Sequence, residues 1–323
     1  MTEALTRSTA AVVAVDLGGS SMKGVVVDGS GRELATRTVP TPDREVVSAL
    51  TQLVRDLSTI AAGAGVTPVA AGVVTPGSVD EARGVVRYAS NLGWRDLPLR
   101  DHLGDALDLP VAVGHDVRTA GVAEQLLGAG RGSDSFVLVP IGTGVAAAIV
   151  SDGRLVAGFT GAAGEFGHIP LVPGGELCPC GQRGCLEAYA SAGALARRYA
   201  AAEGHARTAE EVVASLGSDA TADRLWDEAV TVLAQGLNVL TILLDPELIV
   251  IGGGLSRAGA VLLEPLTARM ESGLAWRGRP RVVVSELGES AGRLGAAVLA
   301  FRAAGRDDLL ASWRVDPSQD QHP

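Results

Sequence analysis

A strand, a glycine-containing turn and a second strand follow one another twice in this 323-residue chain, about 125 residues apart. Val, Ile and Met follow the glycines, which predicts a second strand, whereas a dinucleotide-binding fold or a P-loop needs a helix there. An Asp-Gly turn ends each copy. The repeat therefore predicts two related lobes, each carrying a glycine-tipped hairpin, that face one cleft. The strands of the two hairpins are predicted at 11–15 and 22–27, and at 136–141 and 145–150.

The rest of the chain alternates strands and helices, which is typical of an α/β protein. Strands are predicted at 33–39, 69–74, 111–113, 247–251 and 282–284, and helices at 43–62, 117–127, 187–201, 220–243, 256–273 and 293–304. Residues 128–133 are too few for a flexible linker and predict a hinge. We expect a small lobe of residues 1–127 plus a C-terminal helix at 293–312, and a large lobe of residues 128–292.

Composition excludes several classes of protein. A net charge of −10 without blocks of like charge argues against nucleic acid or an anionic membrane as partner. The first ten residues lack the apolar run of a signal peptide. The apolar stretch 239–251 is interrupted by Asp245-Pro246 and is too short to span a bilayer. We therefore expect a cytoplasmic protein.

The glycine turns are candidate phosphate-binding loops, because without Cβ atoms the backbone N–H groups can approach phosphate oxygens closely. The first contains Asp16, Gly18, Gly19 and Ser20, and Asp16 is suited to holding Mg²⁺ through water. The second is Gly142-Thr143-Gly144. Gly252-Gly253-Gly254 follows a buried strand and suits an adenosine packed on bare backbone. Ordinary tight turns are the alternative in each case.

Three cysteines lie within eight residues and predict a metal site rather than a disulfide framework. His168 with Cys178, Cys180 and Cys185 makes a Cys₃His set, the closed tetrahedral donor set of structural Zn²⁺. A redox role for Cys178 and Cys180 is the alternative, but it leaves Cys185 and His168 unexplained.

Four ordered motifs together resemble the ROK family of sugar kinases. They are Asp16-x-Gly-Gly-Ser, the Gly142-Thr143-Gly144 hairpin, Glu165-x-x-His168 and Cys178-x-Cys180-x4-Cys185. The resemblance extends from residue 16 to about 297. It implies an α/β, two-lobed, actin-like (ribonuclease-H-like) ATPase fold with a cleft between the lobes.

The resemblance also implies roles for single residues. Asp116 matches the family's catalytic base, although a carboxylate at a helix start is also a good N-cap. Arg118, beside it, is expected to be a surface or helix-face cation. Glu165, His168 and Glu187 match sugar-contacting residues braced by the zinc knuckle, and Asn91 matches a further motif near the sugar.

The chain departs from the family at His115, where an Asn usually precedes the catalytic Asp. His115 can contact the same sugar hydroxyls, or it can accept from a 3-amino substituent such as that of kanosamine. Lys23 is the one lysine among 27 basic residues, and members of the glucokinase branch often carry Lys there. It is either a phosphate-site cation or a solvated residue at a strand start.

The expected function is an ATP- and Mg²⁺-dependent kinase that phosphorylates the C6 hydroxyl of glucose or a related amino sugar. A sugar-responsive repressor is disfavoured, because ten residues before the first strand cannot hold a winged-helix domain. A silent sugar-binding scaffold is disfavoured by the Asp116 and phosphate-loop motifs. Polyphosphate stays open as an alternative donor. By analogy with relatives we expect a homodimer or homotetramer.

Overall fold

The computed structural model describes residues 10–311 and residue 313, which form two compact units. Unit 1 comprises the described residues up to 131, residues 157–162 and those from 290 onward. Unit 2 comprises residues 132–156 and 163–289. The chain thus enters unit 1 again for six residues before it completes unit 2. The expected lobe boundaries at 127 and 292 stay predictions.

The described residues contain thirteen strands and ten α-helices, joined by turns, loops and short 3₁₀ segments. The strands are β1 (Ala10–Leu17), β2 (Ser21–Asp28), β3 (Glu33–Pro40), β4 (Thr67–Thr75), β5 (Ser78–Asp80), β6 (Val85–Ala89), β7 (Trp94–Leu97), β8 (Val111–His115), β9 (Phe136–Pro140), β10 (Ala148–Ser151), β11 (Arg154–Leu155), β12 (Leu248–Gly252) and β13 (Arg281–Val284). The helices are α1 (Val46–Gly63), α2 (Leu99–Leu107), α3 (Asp116–Leu127), α4 (Glu187–Ala190), α5 (Ala192–Glu203), α6 (Ala209–Ala214), α7 (Ala220–Leu244), α8 (Ala260–Ser272), α9 (Ala291–Ala303) and α10 (Asp307–Leu310).

Both units contain a five-stranded sheet with the same strand order. In unit 1 the order is β3-β2-β1-β4-β8, with β1, β2 and β3 antiparallel and β4 and β8 parallel to β1. In unit 2 the order is β11-β10-β9-β12-β13, again an antiparallel meander followed by two parallel strands. The duplicated hairpin and the predicted α/β actin-like fold class are thereby confirmed.

Several local expectations from the sequence were wrong. The helix expected over 187–201 is two helices, since Ser191 is extended and its side chain caps α5 at the Ala194 N–H. The helix expected over 256–273 is a 3₁₀ segment followed by α8, because Gly259 has φ 55°. The small sheet β5-β6-β7 and the helices α2 and α6 escaped prediction. Their apolar patterns are too short for a clear period.

The sheet of unit 1 is buried between helices on its two faces. Apolar residues at helical spacing on α1, among them Leu50, Leu53 and Leu57, lie in a core shared with β1 and β4. On the other face α9 packs against β1, β4, β8 and α3. The backbone of α9 approaches β4 so closely that a Cβ at Gly72 would lie 2.0 Å from the Ala296 carbonyl oxygen. Glycine at 72 therefore sets the distance between sheet and helix.

One described helix, α7, is long and apolar enough to cross a membrane by length and composition. Half of its apolar stretch is buried inside unit 2, where its residues belong to the core. A core helix meets the same criterion, so this is weak evidence for a span.

We expect Gly72→Ala to lower the free energy of unfolding by about 3 kcal/mol, because the added methyl overlaps a backbone oxygen that cannot move independently. Chemical denaturation monitored by circular dichroism measures the change. Gly104→Ala is the matched control: it lies inside α2 with no heavy atom within 4 Å of the added Cβ. That variant should be neutral or more stable by up to about 1 kcal/mol. Equal effects of the two substitutions would contradict the packing argument.

Candidate functional site

Asp16 lies near the end of β1, beside the first glycine turn. It pairs in antiparallel register with Lys23 on β2, so the two side chains leave the sheet on one face. A Cβ at Gly292, in the first turn of α9, would lie 2.6 Å from Asp16 Oδ2. The carboxylate is therefore packed against the start of a helix, a contact that only glycine at 292 permits. Nothing local in the sequence points to Gly292, which lies 276 positions from Asp16.

The environment of Asp16 makes its charged form costly. Burial and the neighbouring Asp116 raise the pKa of Asp16 to about 6, while Lys23 and Arg293 act in the opposite direction. The two carboxylates predicted for metal binding and for base catalysis are thus electrostatically coupled within unit 1. A divalent cation would offset this repulsion, so the donor set fits Mg²⁺.

The first glycine turn is held by contacts that leave its tip exposed. The Gly18 N–H donates to the Ser21 carbonyl at 2.9 Å, and the Thr41 hydroxyl donates to the Gly18 carbonyl at 2.7 Å. Gly19 and Ser20 are exposed. A Cβ at Gly19 would lie 2.9 Å from Asn91 Nδ2. The structure therefore brings the predicted phosphate loop and the predicted sugar residue Asn91 together.

His115 and Asp116 occupy the start of α3. The side chain of His115 is the N-cap, and its Nδ1 accepts the Arg118 N–H at 3.3 Å. Asp116 Oδ1 accepts the Val117 N–H at 2.7 Å and lies 3.2 Å from His115 Nδ1. Burial raises the pKa of Asp116, while the Val117 N–H and Arg118 lower it. The capping role considered for Asp116 thus belongs to His115.

Arg118 is not the surface cation that the sequence suggested. Its side chain is 2% exposed and pairs with Glu81, whose Oε1 lies 2.8 Å from Nη2. Glu81 was not singled out, because nothing in the sequence links two residues 37 positions apart.

In unit 2 the second glycine hairpin adjoins the Gly252–Gly254 turn. The Ile141 N–H donates to the Gly252 carbonyl at 2.9 Å, and Gly253 has φ 75° with no room for a Cβ beside Ile141. Glu187 Oε2 accepts the Val145 N–H at 2.9 Å, and a Cβ at Gly144 would lie 2.6 Å from that oxygen. A predicted sugar residue therefore contacts a predicted phosphate loop within this unit.

The two ring nitrogens of His168 face different neighbours. Nδ1 lies 3.8 Å from Cys178 Sγ, on the side of the cysteines. Nε2 lies 3.9 Å from Glu165 Oε2. The imidazole can thus hold a metal through one nitrogen and point the other toward the predicted sugar residues.

The four predicted metal ligands come together. The ligand atoms of His168, Cys178, Cys180 and Cys185 all lie within 4.8 Å of one another, and Cys180 and Cys185 sulfurs are 3.6 Å apart. Tetrahedral Zn²⁺ with Zn–S bonds of about 2.3 Å places its sulfurs about 3.8 Å apart. Burial raises the pKa of the Cys185 thiol to about 12, and the two neighbouring cysteines add to this. Packed thiols of this kind fit a cation that stabilises thiolates.

The loop that carries the cysteines is anchored through Glu176, two residues before Cys178. Its carboxylate contacts Arg197 at 3.1 Å and Arg198 at 3.3 Å, both on α5. Its backbone N–H donates to the Tyr189 hydroxyl of α4 at 2.8 Å. The loop that carries the cysteines is therefore fixed to α5 and to α4, the helix that carries Glu187.

The structure groups the predicted residues into two sets, one in each unit. The set in unit 1 consists of Asp16, Gly18, Gly19, Ser20, Lys23, Asn91, His115 and Asp116. The set in unit 2 consists of Gly142, Thr143, Gly144, Glu165, His168, Cys178, Cys180, Cys185, Glu187, Gly252, Gly253 and Gly254.

Comparison with known proteins gives a consistent result. The sequence profile of the ROK family matches residues 12–303. A glucokinase of Streptomyces coelicolor is 35% identical over 313 residues, covering 89% of this chain and 96% of the relative. A ROK hexokinase from Thermus thermophilus superposes with a TM-score of 0.79 at 35% identity, covering 91% of this chain and 99% of the other. A ROK glucokinase from Streptomyces griseus, solved with glucose and AMPPNP, gives 0.79 at 33% identity, with 90% and 99% covered.

We expect about one zinc per chain, measured by elemental analysis of protein purified without chelator. Cys185→Ser should lose the zinc and lower the midpoint of thermal unfolding by about 10 °C, since Cys185 is fully buried in the core of unit 2. His205→Gln, an exposed histidine outside the cluster, is the control and should keep both. Metal-free wild-type protein from zinc-supplemented cells would refute the site.

The raised pKa of Asp16 predicts a pH-dependent stability difference in the absence of Mg²⁺. Below about pH 4 Asp16 is protonated in both folded and unfolded chains, and as the pH rises through about 6 the folded state must hold the charge. Asp16→Asn should therefore gain about 2 to 3 kcal/mol relative to wild type between pH 4 and pH 8. Denaturation curves across this range measure it. A stability difference between Asp16→Asn and wild type that does not change with pH over this range would contradict the raised pKa of Asp16.

Proposed function

This chain belongs to the ROK family, and we propose that it is an ATP-dependent hexose 6-kinase. In this proposal it transfers the γ-phosphoryl group of ATP to the C6 hydroxyl of glucose or a closely related amino sugar. The observation that carries the proposal is Asp116, a carboxylate of raised pKa at the start of α3, electrostatically coupled to Asp16. The glucose and AMPPNP bound by the Streptomyces griseus relative support the pair of substrates.

The phosphates of ATP are assigned to the two glycine turns. The exposed tip at Gly19 and Ser20 and the second tip at 142–144 offer backbone N–H groups without bulky side chains. Gly252, Gly253 and Gly254 are assigned to the adenosine. Asp16 would hold Mg²⁺ through water, and the ion would neutralise charge on the transferred group.

The sugar is assigned to side chains that donate and accept hydrogen bonds. They are Asn91, His115, Asp116, Glu165, His168 and Glu187. His168 has the arrangement that this role needs, since one ring nitrogen faces the cysteines while the other lies near Glu165. Zn²⁺ would be structural, because three thiolates and one imidazole fill its coordination sphere.

The chemical step needs a group that accepts a proton. Asp116 takes the proton of the C6 hydroxyl as that oxygen forms a bond to the γ-phosphorus, and the bond to the β,γ-bridging oxygen breaks to release ADP. Burial raises the pKa of Asp116 toward the working pH, which makes it a better base than an exposed carboxylate.

A coupled assay of ADP release tests the function. ATP·Mg²⁺ is supplied with glucose, mannose, glucosamine, kanosamine, N-acetylglucosamine or N-acetylmannosamine, and polyphosphate replaces ATP in a parallel series. We expect turnover of glucose with ATP. No turnover of any sugar with either donor would refute the kinase assignment.

Asp116→Asn should lower kcat about 10³-fold on every sugar that the wild type accepts, because an amide cannot take the proton. Sugar binding, measured by calorimetry, should persist. Asp105→Asn removes the same charge at an exposed position and should keep the wild-type kcat. Undiminished turnover in Asp116→Asn would remove Asp116 as the base.

An amino-sugar substrate is the second candidate, and the geometry of His115 bears on it. Nδ1 accepts the Arg118 N–H, so in the neutral ring the proton is on Nε2. An N–H donates to a hydroxyl oxygen and cannot accept from an ammonium group. The nearby Asp116 oxygen becomes an ion-pair partner only when the ring gains a second proton. These contacts favour a hydroxyl over a 3-amino substituent.

We therefore expect kcat/KM at least about 10-fold higher for glucose than for kanosamine, a loss typical of an unpaired polar group. His115→Asn should retain that preference, since Asn also pairs with hydroxyls. Preference of the wild type for kanosamine, shifted toward glucose by His115→Asn, would support the amino-sugar alternative instead. Equal kcat/KM of the wild type for glucose and kanosamine would contradict a role for His115 in selecting the substrate.

A cytoplasmic location suits a reaction that consumes ATP. The homodimer or homotetramer expected by analogy stays a prediction.

A further inference from the structure

We propose that the ion pair between the buried Arg118 and the partly exposed Glu81 positions Asp116 for catalysis and thereby sets turnover rather than sugar affinity. The inference rests on the proposed function, since it takes Asp116 as the base. Neither residue belongs to the set predicted from the sequence.

Arg118 lies two residues after Asp116, and its guanidinium points into unit 1. It donates from Nε to Glu81 Oε1 at 2.9 Å, from Nη2 to the Val79 carbonyl at 3.1 Å, and from Nη1 to the Gly161 carbonyl at 2.5 Å. With 2% of the side chain exposed, the charge depends on these acceptors and on the carboxylate of Glu81. A planar, fork-shaped donor is required to reach all of them at once.

Glu81 connects the guanidinium with the backbone that precedes Asp116. The same Oε1 that pairs with Arg118 also accepts the His115 N–H at 3.3 Å. Arg118 in turn donates its own N–H to His115 Nδ1. The backbone before Asp116 and the side chain of Arg118 after it are therefore both bound to Glu81 Oε1.

The three segments joined by the pair are distant in sequence. They are residues 79–81 at the end of β5, residues 115–118 at the start of α3, and residues 157–162, which belong to unit 1. No backbone ladder joins α3 to the other two segments, so the side-chain contacts of Arg118 and Glu81 supply the link. These side-chain contacts hold the first turn of α3.

The orientation of Asp116 follows from the first turn. Its Oδ1 accepts the Val117 N–H, so the carboxylate turns with the backbone of residues 115–118. A shift of about 1 Å in a reacting group is enough to cost about 100-fold in rate. Sugar contacts from other residues would be retained, and affinity would change less than turnover.

A purely structural pair would behave differently. Replacement of a buried ion pair by apolar residues of similar size is often neutral or stabilising, whereas removal of one partner leaves an unpaired charge and destabilises. The double variant Arg118→Met with Glu81→Met therefore separates stability from positioning. It removes both charges and retains the volume.

The experiment compares Arg118→Lys, Glu81→Gln and the double variant under single-turnover conditions with glucose and ATP·Mg²⁺, so that product release does not limit the rate. We expect the rate of phosphoryl transfer to fall about 10- to 100-fold in Arg118→Lys and in the double variant. Glucose affinity by calorimetry should stay within about 3-fold of wild type. Glu81→Gln should retain most of the rate, because its amide oxygen still accepts from His115 and Arg118.

Arg87→Met is the control, since it breaks partly exposed ion pairs with Asp80 and Asp96 on the same small sheet, and neither partner belongs to α3. It should have the wild-type rate. A wild-type rate in the double variant, or a loss of glucose affinity without a loss of rate, would overturn the inference. If Arg118→Lys does not fold, the double variant decides alone. Undiminished turnover in Asp116→Asn would instead refute Asp116 as base, whatever the Arg118 variants do.

Discussion

The cost of holding two coupled carboxylates in a poorly solvated place is the constraint on which unit 1 depends. Burial, and after it the charge of Asp116, raise the pKa of Asp16 to about 6, and burial also raises the pKa of Asp116. Lys23 from β2 and Arg293 from α9 lower the pKa of Asp16 again, and Arg293 is held by Glu33 at 3.0 Å. Three separate elements thus meet at Asp16, and the remaining imbalance is what a divalent cation would remove.

In unit 2, burial makes the charged forms of thiols costly, as it does for the carboxylates of unit 1. Cys185 is fully buried and its pKa is raised to about 12, so three thiolates require a metal to be stable together. The same unit anchors the cysteine loop to α4 and α5 through Glu176. Metal site and helix packing therefore support one another, and His168 connects them to the carboxylate of Glu165.

Short-range signals in the sequence predicted much of this arrangement. The spacing of His168 and Cys178 predicts a metal-binding loop, and glycines after a buried strand predict a hairpin. Both features are encoded within a few residues, so they can be recognised in the sequence. The pairing of Glu81 with Arg118 and the contact of Gly292 with Asp16 were missed. Such contacts join residues 37 to 276 positions apart, and only the order of strands and helices in space brings them together. An arginine on an apparently exposed helix start carries no local sign of burial.

The start of α3 shows why one departure from the family motif need not disturb the others. Asn, usual in the family before the catalytic Asp, is among the best N-cap residues and also pairs with hydroxyls. His115 divides these two roles between two nitrogens: Nδ1 accepts the Arg118 N–H and caps the helix, and our proposal assigns the sugar to Nε2. Because capping fixes the ring, the direction of Nε2 is fixed too. A residue that replaces His115 must therefore cap the helix beside Asp116 and, in our proposal, also contact the sugar.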